Sequence, residues 1–199
     1  MSSYDIGAMK ASLHDAQAEA LLNIRSQFSQ FMRGLSDAEM TLASLSKNRL
    51  VDCRNLNEHK DLASVYGSPG LYIICSTFPM EDNECTFRLH GGLHAIYRGE
   101  CSTVIRRLES HLFNAQCRSG YDNRKAEKLD SGGKFSEPYY GACMKIDPGV
   151  SGINIDTGEY ANHSWAVVVL KMFGSSSALR KQAELAFDDL FGKPAASRE

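Results

Sequence analysis

Five side chains in this sequence are of the types that hydrolyse phosphate esters, and they fall in a suggestive order: Tyr72, Tyr97, Arg107, His111 and Glu184. A carboxylate can anchor a divalent cation that offsets phosphate charge. An arginine can add positive charge against a pentacovalent transition state, and a tyrosine or histidine can handle the proton of an attacking water. Arg107 and His111 are four residues apart, so on a helix they project from one face. Each tyrosine stands beside a glycine in a short apolar run, "PGLYII" and "HAIYRGE".

The elements that must position these groups are legible in outline. Leu71 to Thr77 is apolar on both faces, as a central strand requires, and strand-like pieces flank Gly91-Gly92, which suit a hairpin turn. Ser102 or Thr103 can cap a helix running to about Gln116, with Val104, Leu108 and Leu112 on its buried side. "WAVVVLKMF" from Trp165 reads as a buried strand. The last helix, capped within Ser175 to Ser177, carries Glu184 and ends at Gly192 and Pro194.

Towards the N-terminus, Met9, Leu13, Ala16, Ala20, Ile24, Phe28 and Phe31 keep a helical period from Asp5 to Arg33. "SDAE" at 36 to 39 has capping-box form and predicts a second helix to about Ser46, while "VDCRNLNEHKDLASVYG" reads as loop with a short helical turn. Residues 117 to 163, rich in Gly, Asp, Asn, Ser and Tyr, read as a long irregular insertion with short strands near Tyr140 to Lys145 and Ile153 to Ile155. The expected division is a helical extension over 1–66, serving as a dimerisation or DNA-binding arm, and a domain over 67–199.

The net charge of −2 is unfavourable for nucleic-acid binding as a whole, but charge is local. From Arg98 to Lys134 eight basic residues stand against five acidic ones, which makes Arg98, Arg106, Arg118, Arg124, Lys125 and Lys128 candidates for DNA contact. The six cysteines form no CxxC pair, which argues against a zinc knuckle or redox motif. No apolar run is long enough to cross a bilayer, and the first residues lack a signal-peptide pattern, so a cytoplasmic, unexported protein with no membrane partner is expected.

"GLY" at 70 to 72, "YRG" at 97 to 99, Arg107 and His111 at ten and fourteen residues beyond Tyr97, then a strand and a helix with Glu184, together resemble the GIY-YIG nuclease superfamily. The similarity covers about 68–113 and 164–192. It implies an α/β (α+β) fold with a small antiparallel sheet flanked by helices, and a Mg²⁺- or Mn²⁺-dependent endonuclease. It also implies a metal on Glu184, phosphate contact by Arg107, and Tyr72 or Tyr97 as base or water-positioning group with His111 assisting. The chain departs from the family in having Arg98 where YIG has an apolar residue, and in offering only Ser197 or Arg198 where an Asn usually follows the metal Glu. The spacing of 25 residues between the tyrosines, the helical extension and the insertion are most like the type II restriction enzymes of the superfamily. The implied partner is double-stranded DNA bound by a homodimer. A low-specificity nuclease (a toxin, defence effector or mobile-element protein) and a decayed DNA-binding module are the alternatives.

Overall fold

The computed structural model describes residues 6–36, 39–136, 144, 146 and 152–197. Its centre is a curled five-stranded antiparallel sheet in the order β1-β5-β2-β4-β3, with β1 at Val51–Asn55, β2 at Gly70–Ser76, β3 at Arg88–Leu89, β4 at Leu93–Cys101 and β5 at Trp165–Lys171. The helices are α1 (Ile6–Met32), α2 (Leu42–Leu45), α3 (Val104–Leu112), α4 (Asn114–Asp130) and α5 (Ser177–Phe191). The expected mixed helix-and-sheet architecture is present.

β2 and β5 occupy the middle of the sheet and are buried on both faces, which is why each reads as an unbroken apolar run. Alternation sends Leu71, Ile73, Cys75, Val168 and Leu170 towards α5 and the C-terminal part of α1. It sends Tyr72, Ile74, Val167 and Val169 to the other face, with Leu108 and Leu112 of α3. A bulge in β4 opposite Ile74 and Cys75 puts consecutive residues Ile96 and Tyr97 in the same core, and Arg98 then turns to the α5 side.

Four sequence expectations change. β1 is a strand where a loop was expected, paired to β5 from Val51↔Leu170 to Asn55↔Ala166, so the sheet begins inside the segment read as a helical extension. Only five residues long, and alternating only weakly, β1 is specified by its partner more than by its own pattern. α4 runs over Asn114–Asp130, so residues 117–130 are helical where an irregular insertion was expected. α4 has no buried residue, so the apolar period that marks a helix is missing. The helix after "SDAE" is a single turn capped by the Thr41 hydroxyl, which accepts from the Ser44 N–H at 3.1 Å. Of the two strands expected in the insertion, most of Tyr140 to Lys145 lies outside the described residues. Ile153 and Ile155 instead donate backbone hydrogen bonds to His111 and Leu112 carbonyls at 2.8 and 3.0 Å, holding the end of α3.

After α5 the chain turns back along the outer edge of β4. The Ala196 N–H donates to the Ile96 carbonyl and the Arg98 N–H donates to the Ser197 hydroxyl, each at 3.0 Å. The edge that β3 leaves open is thereby covered.

Candidate functional site

Register places Tyr72 of β2 opposite Gly99 of β4, and Ile74 opposite Tyr97. Both tyrosine rings lie on the α3 face, stacked with centroids 5.9 Å apart, and His111 comes down from α3 with its ring 4.5 Å from that of Tyr97. The Tyr72 hydroxyl and His111 Nε2 share a 2.9 Å hydrogen bond. All three side chains are buried. Two neighbouring strands supply the tyrosines, and α3 packed on that face supplies His111.

The two motif glycines have a steric cause. A Cβ at Gly99 would stand 2.7 Å from the Tyr72 hydroxyl and 3.1 Å from Tyr97 Cε1, and a Cβ at Gly70 would stand 2.7 Å from the Leu170 carbonyl oxygen. Gly99 therefore makes the room in which the tyrosine pair sits, and Gly70 allows β2 and β5 to approach.

Burial pushes the Tyr72 phenol well above its usual pKa; Tyr97 and Cys101 add to this, and Arg107 acts the other way without reversing it. Tyr72 is thus a neutral phenol near pH 7. It is suited to orient His111 and ill-suited to take a proton itself. Cys101, at the mouth of the same region, has its thiol pushed up to about 11, chiefly by burial.

Beside the buried cluster, at the end of β4 and the start of α3, opens a polar cleft of about 570 Å³ lined by Glu100, Cys101, Ser102, Thr103, Arg106, Arg107 and Arg180. Arg180 of α5 donates from Nε to Glu100 at 2.7 Å, which neutralises that pair. Arg106 and Arg107 line the same cleft, at the N-terminal end of α3 where backbone N–H groups point outward. Such a place suits an anion. Glu100 and Arg180 had no signal in the sequence, because the pairing joins residues 80 positions apart.

Arg98 and Glu184 are placed differently from expectation. Arg98 is buried on the α5 face and not at a DNA-contacting surface. Its Nη1 donates to Glu184 Oε1 at 2.5 Å, and its Nε donates to Asp188 Oδ1 at 2.8 Å. Lys181 Nζ donates to Glu184 Oε2 at 2.5 Å. Burial opposes the Arg98 charge, yet Asp188 and Glu184 outweigh it and hold the guanidinium above its usual pKa. The Arg in the second motif thus has a structural role: Glu184 and Asp188, one helical turn apart, receive it as a fork. The signal was available as two carboxylates four residues apart on the last helix.

This arrangement does not suit a metal on Glu184. Both carboxylate oxygens are held by cations, and the group lies across the sheet from Tyr72, Tyr97 and His111. Among the described residues no group of three or more His, Cys, Asp or Glu side chains could hold an ion.

Arg118, Arg124, Lys125 and Lys128 are all exposed on α4. At 3.6 residues per turn they occupy one side of the helix, around Tyr121, while Asp122, Glu127 and Asp130 fall on the other. No helix among the described residues is long and apolar enough to cross a membrane. No family model matches the chain, and no curated protein or solved structure matches it either.

Proposed function

We propose that the chain is an endonuclease of the GIY-YIG type that hydrolyses phosphodiester bonds in double-stranded DNA, of the sequence-specific restriction kind and acting as a homodimer. The observation that carries this is the Tyr72–His111 hydrogen bond, with Tyr97 packed on His111, beside an arginine-lined cleft. In this reading Arg107 and Arg106 bind the scissile phosphate in the cleft, where their charge opposes that of the transition state. His111, oriented by neutral Tyr72, handles the proton of the attacking water, and Tyr97 fixes the imidazole plane. The basic side of α4 lies along the duplex backbone. Mg²⁺ or Mn²⁺ is the cofactor that the resemblance implies. With Glu184 committed to Arg98 and Lys181, no step is assigned to it.

The occupied Glu184 favours a second reading, a DNA-binding module on the same scaffold that does not cut. One experiment separates the two: plasmid is incubated with the protein, with Mg²⁺, with Mn²⁺ and with EDTA, and the ends are mapped. Discrete fragments with a shared end sequence support a restriction enzyme, and a smear supports the low-specificity alternative. Binding without cleavage under every condition supports the module. If wild type cuts, His111→Ala and Arg107→Ala should each lower the rate at least ~100-fold, the usual scale for losing an acid–base group or a charge placed against the transition state. Unchanged rates would remove the site from consideration.

A further inference from the structure

Two apolar side chains stand out from one end of the sheet. Phe173 follows β5 and is 86% exposed, and Leu50 precedes β1 and is 54% exposed. Both are held on tight turns. The Ser175 N–H donates to the Met172 carbonyl at 3.0 Å across Phe173 and Gly174, the glycine at φ +71°, and the Leu50 N–H donates to Asn48 Oδ1 at 3.0 Å. The Lys171 N–H donates to the Leu50 carbonyl at 2.8 Å, so the two turns lie side by side. A phenyl ring braced in solvent contributes little to the fold, and a second apolar side chain beside it makes a patch that points to a contact outside it.

The arginine-lined cleft opens at the same end. Gly70 of β2 pairs with Lys171 on one side and Cys101 on the other, which sets the Phe173 turn and the cleft about 10 Å apart, or roughly three base steps of DNA. Arg180 joins them directly, donating from Nη1 to the Ser175 carbonyl and from Nε to Glu100, each at 2.7 Å. On the other side of the Phe173 turn, ahead of β1, Lys47 and Arg49 are exposed. The carboxylates on the adjoining strand ends, Glu100 and Asp52, are held by Arg180 and Arg54, whereas Lys47, Arg49 and Lys171 are in no ion pair among the described residues.

We propose that duplex DNA crosses this end of the sheet, with one phosphate in the arginine-lined cleft, others on Lys171, Arg49 and Lys47, and the Phe173 ring inserted as a wedge between two base pairs. This rests on duplex DNA being the partner. An apolar side chain inserted in this way unstacks a base step, and contacts to the backbone on either side offset the cost. Cations flanking a single protruding ring supply those contacts. An anionic bilayer would be met by a broader apolar face, whereas here one ring and one leucine stand between charged groups.

The test uses the full chain in EDTA, with a short duplex carrying 2-aminopurine in place of adenine. A phenyl ring reads no base edge, so any sequence serves. Wild type should bind, as followed by anisotropy, and raise the 2-aminopurine emission as the bases unstack. Phe173→Ala, with an unchanged circular dichroism spectrum, should bind about 5- to 100-fold more weakly, the scale of one lost stacking contact, with the salt slope of wild type and no rise in emission. Phe173→Leu, another wedge side chain, should keep most of the rise. Lys47→Ala and Arg49→Ala should each keep the rise and reduce the slope of log affinity against log salt by about one. Duplex binding with no rise, or with a rise that survives Phe173→Ala, would overturn the wedge and leave the nuclease reading standing. Failure of wild type to bind any duplex would overturn both. Phe173-dependent binding to phosphatidylserine vesicles in place of DNA would overturn the wedge and assign the ring to a membrane surface.

Discussion

At Tyr72 burial and hydrogen bonding have a consequence for pH. Its phenol has a folded-state pKa well above the unfolded value, so the neutral form stabilises the fold fully below the unfolded value of ~10 and this contribution is lost as pH rises beyond it. Urea unfolding should show a falling midpoint above about pH 10, and Tyr72→Phe should flatten that fall. Cys101, with its thiol near 11, should react slowly with iodoacetamide at pH 7.5 and faster as pH approaches 11, as followed by mass spectrometry. Gly99→Ala should cost about 1–3 kcal/mol, because its methyl group would meet the Tyr72 hydroxyl and both rings must shift. The same variant should lower any DNA cleavage by more than its loss of stability explains, since the site is displaced while the protein stays folded.

α5 and α4 carry contrasting uses of charge. On α5, Glu184 and Asp188 enclose Arg98, whose side chain is 7% exposed against 8% for Glu184. Removing the cation with Arg98→Ala leaves the buried Glu184 to Lys181 and takes Arg98 from the partly exposed Asp188, and should cost about 3 kcal/mol, the low end for breaking a buried pair, measured by chemical denaturation. Glu184→Gln should be milder, because Asp188 still pairs with Arg98. On α4 the charges face solvent, and their effect should appear in binding and not in stability. Each of Arg118→Ala, Lys125→Ala and Lys128→Ala should leave the unfolding midpoint within ~0.5 kcal/mol of wild type. In a DNA-binding titration across salt concentrations, each should reduce the slope of log affinity against log salt by about one. An unchanged slope would remove α4 from the proposed DNA interface.

For the whole molecule, the sheet separates two environments. The α3 face holds neutral and aromatic groups beside an arginine-lined cleft, and the α5 face holds a buried ion-pair network and the root of α1. The C-terminal tail links them, since Ala196 packs in the core of the α3 face while Ser197 holds the backbone of Arg98. Ser197 therefore acts on β4 itself. Ser197→Ala would leave the buried Arg98 N–H without its acceptor, at a cost of about 1–3 kcal/mol in a denaturation experiment.

Sequence by itself determined those features that depend on local period and on residues close along the chain. The central strands were legible because two-sided burial demands unbroken apolar runs, α1 and α5 because of their 3.6-residue period, and the nearness of Tyr97 to His111 because strand, turn and helix are consecutive. Only the tertiary structure decided what depended on distant partners. β1 became a strand through β5, α4 showed no period because it buries no face, and Glu100 met Arg180 across the fold. The same holds for Glu184: the resemblance implied a metal ligand, but its neighbours in space are Arg98 and Lys181, and in a buried site the nearest countercharge decides what a carboxylate does.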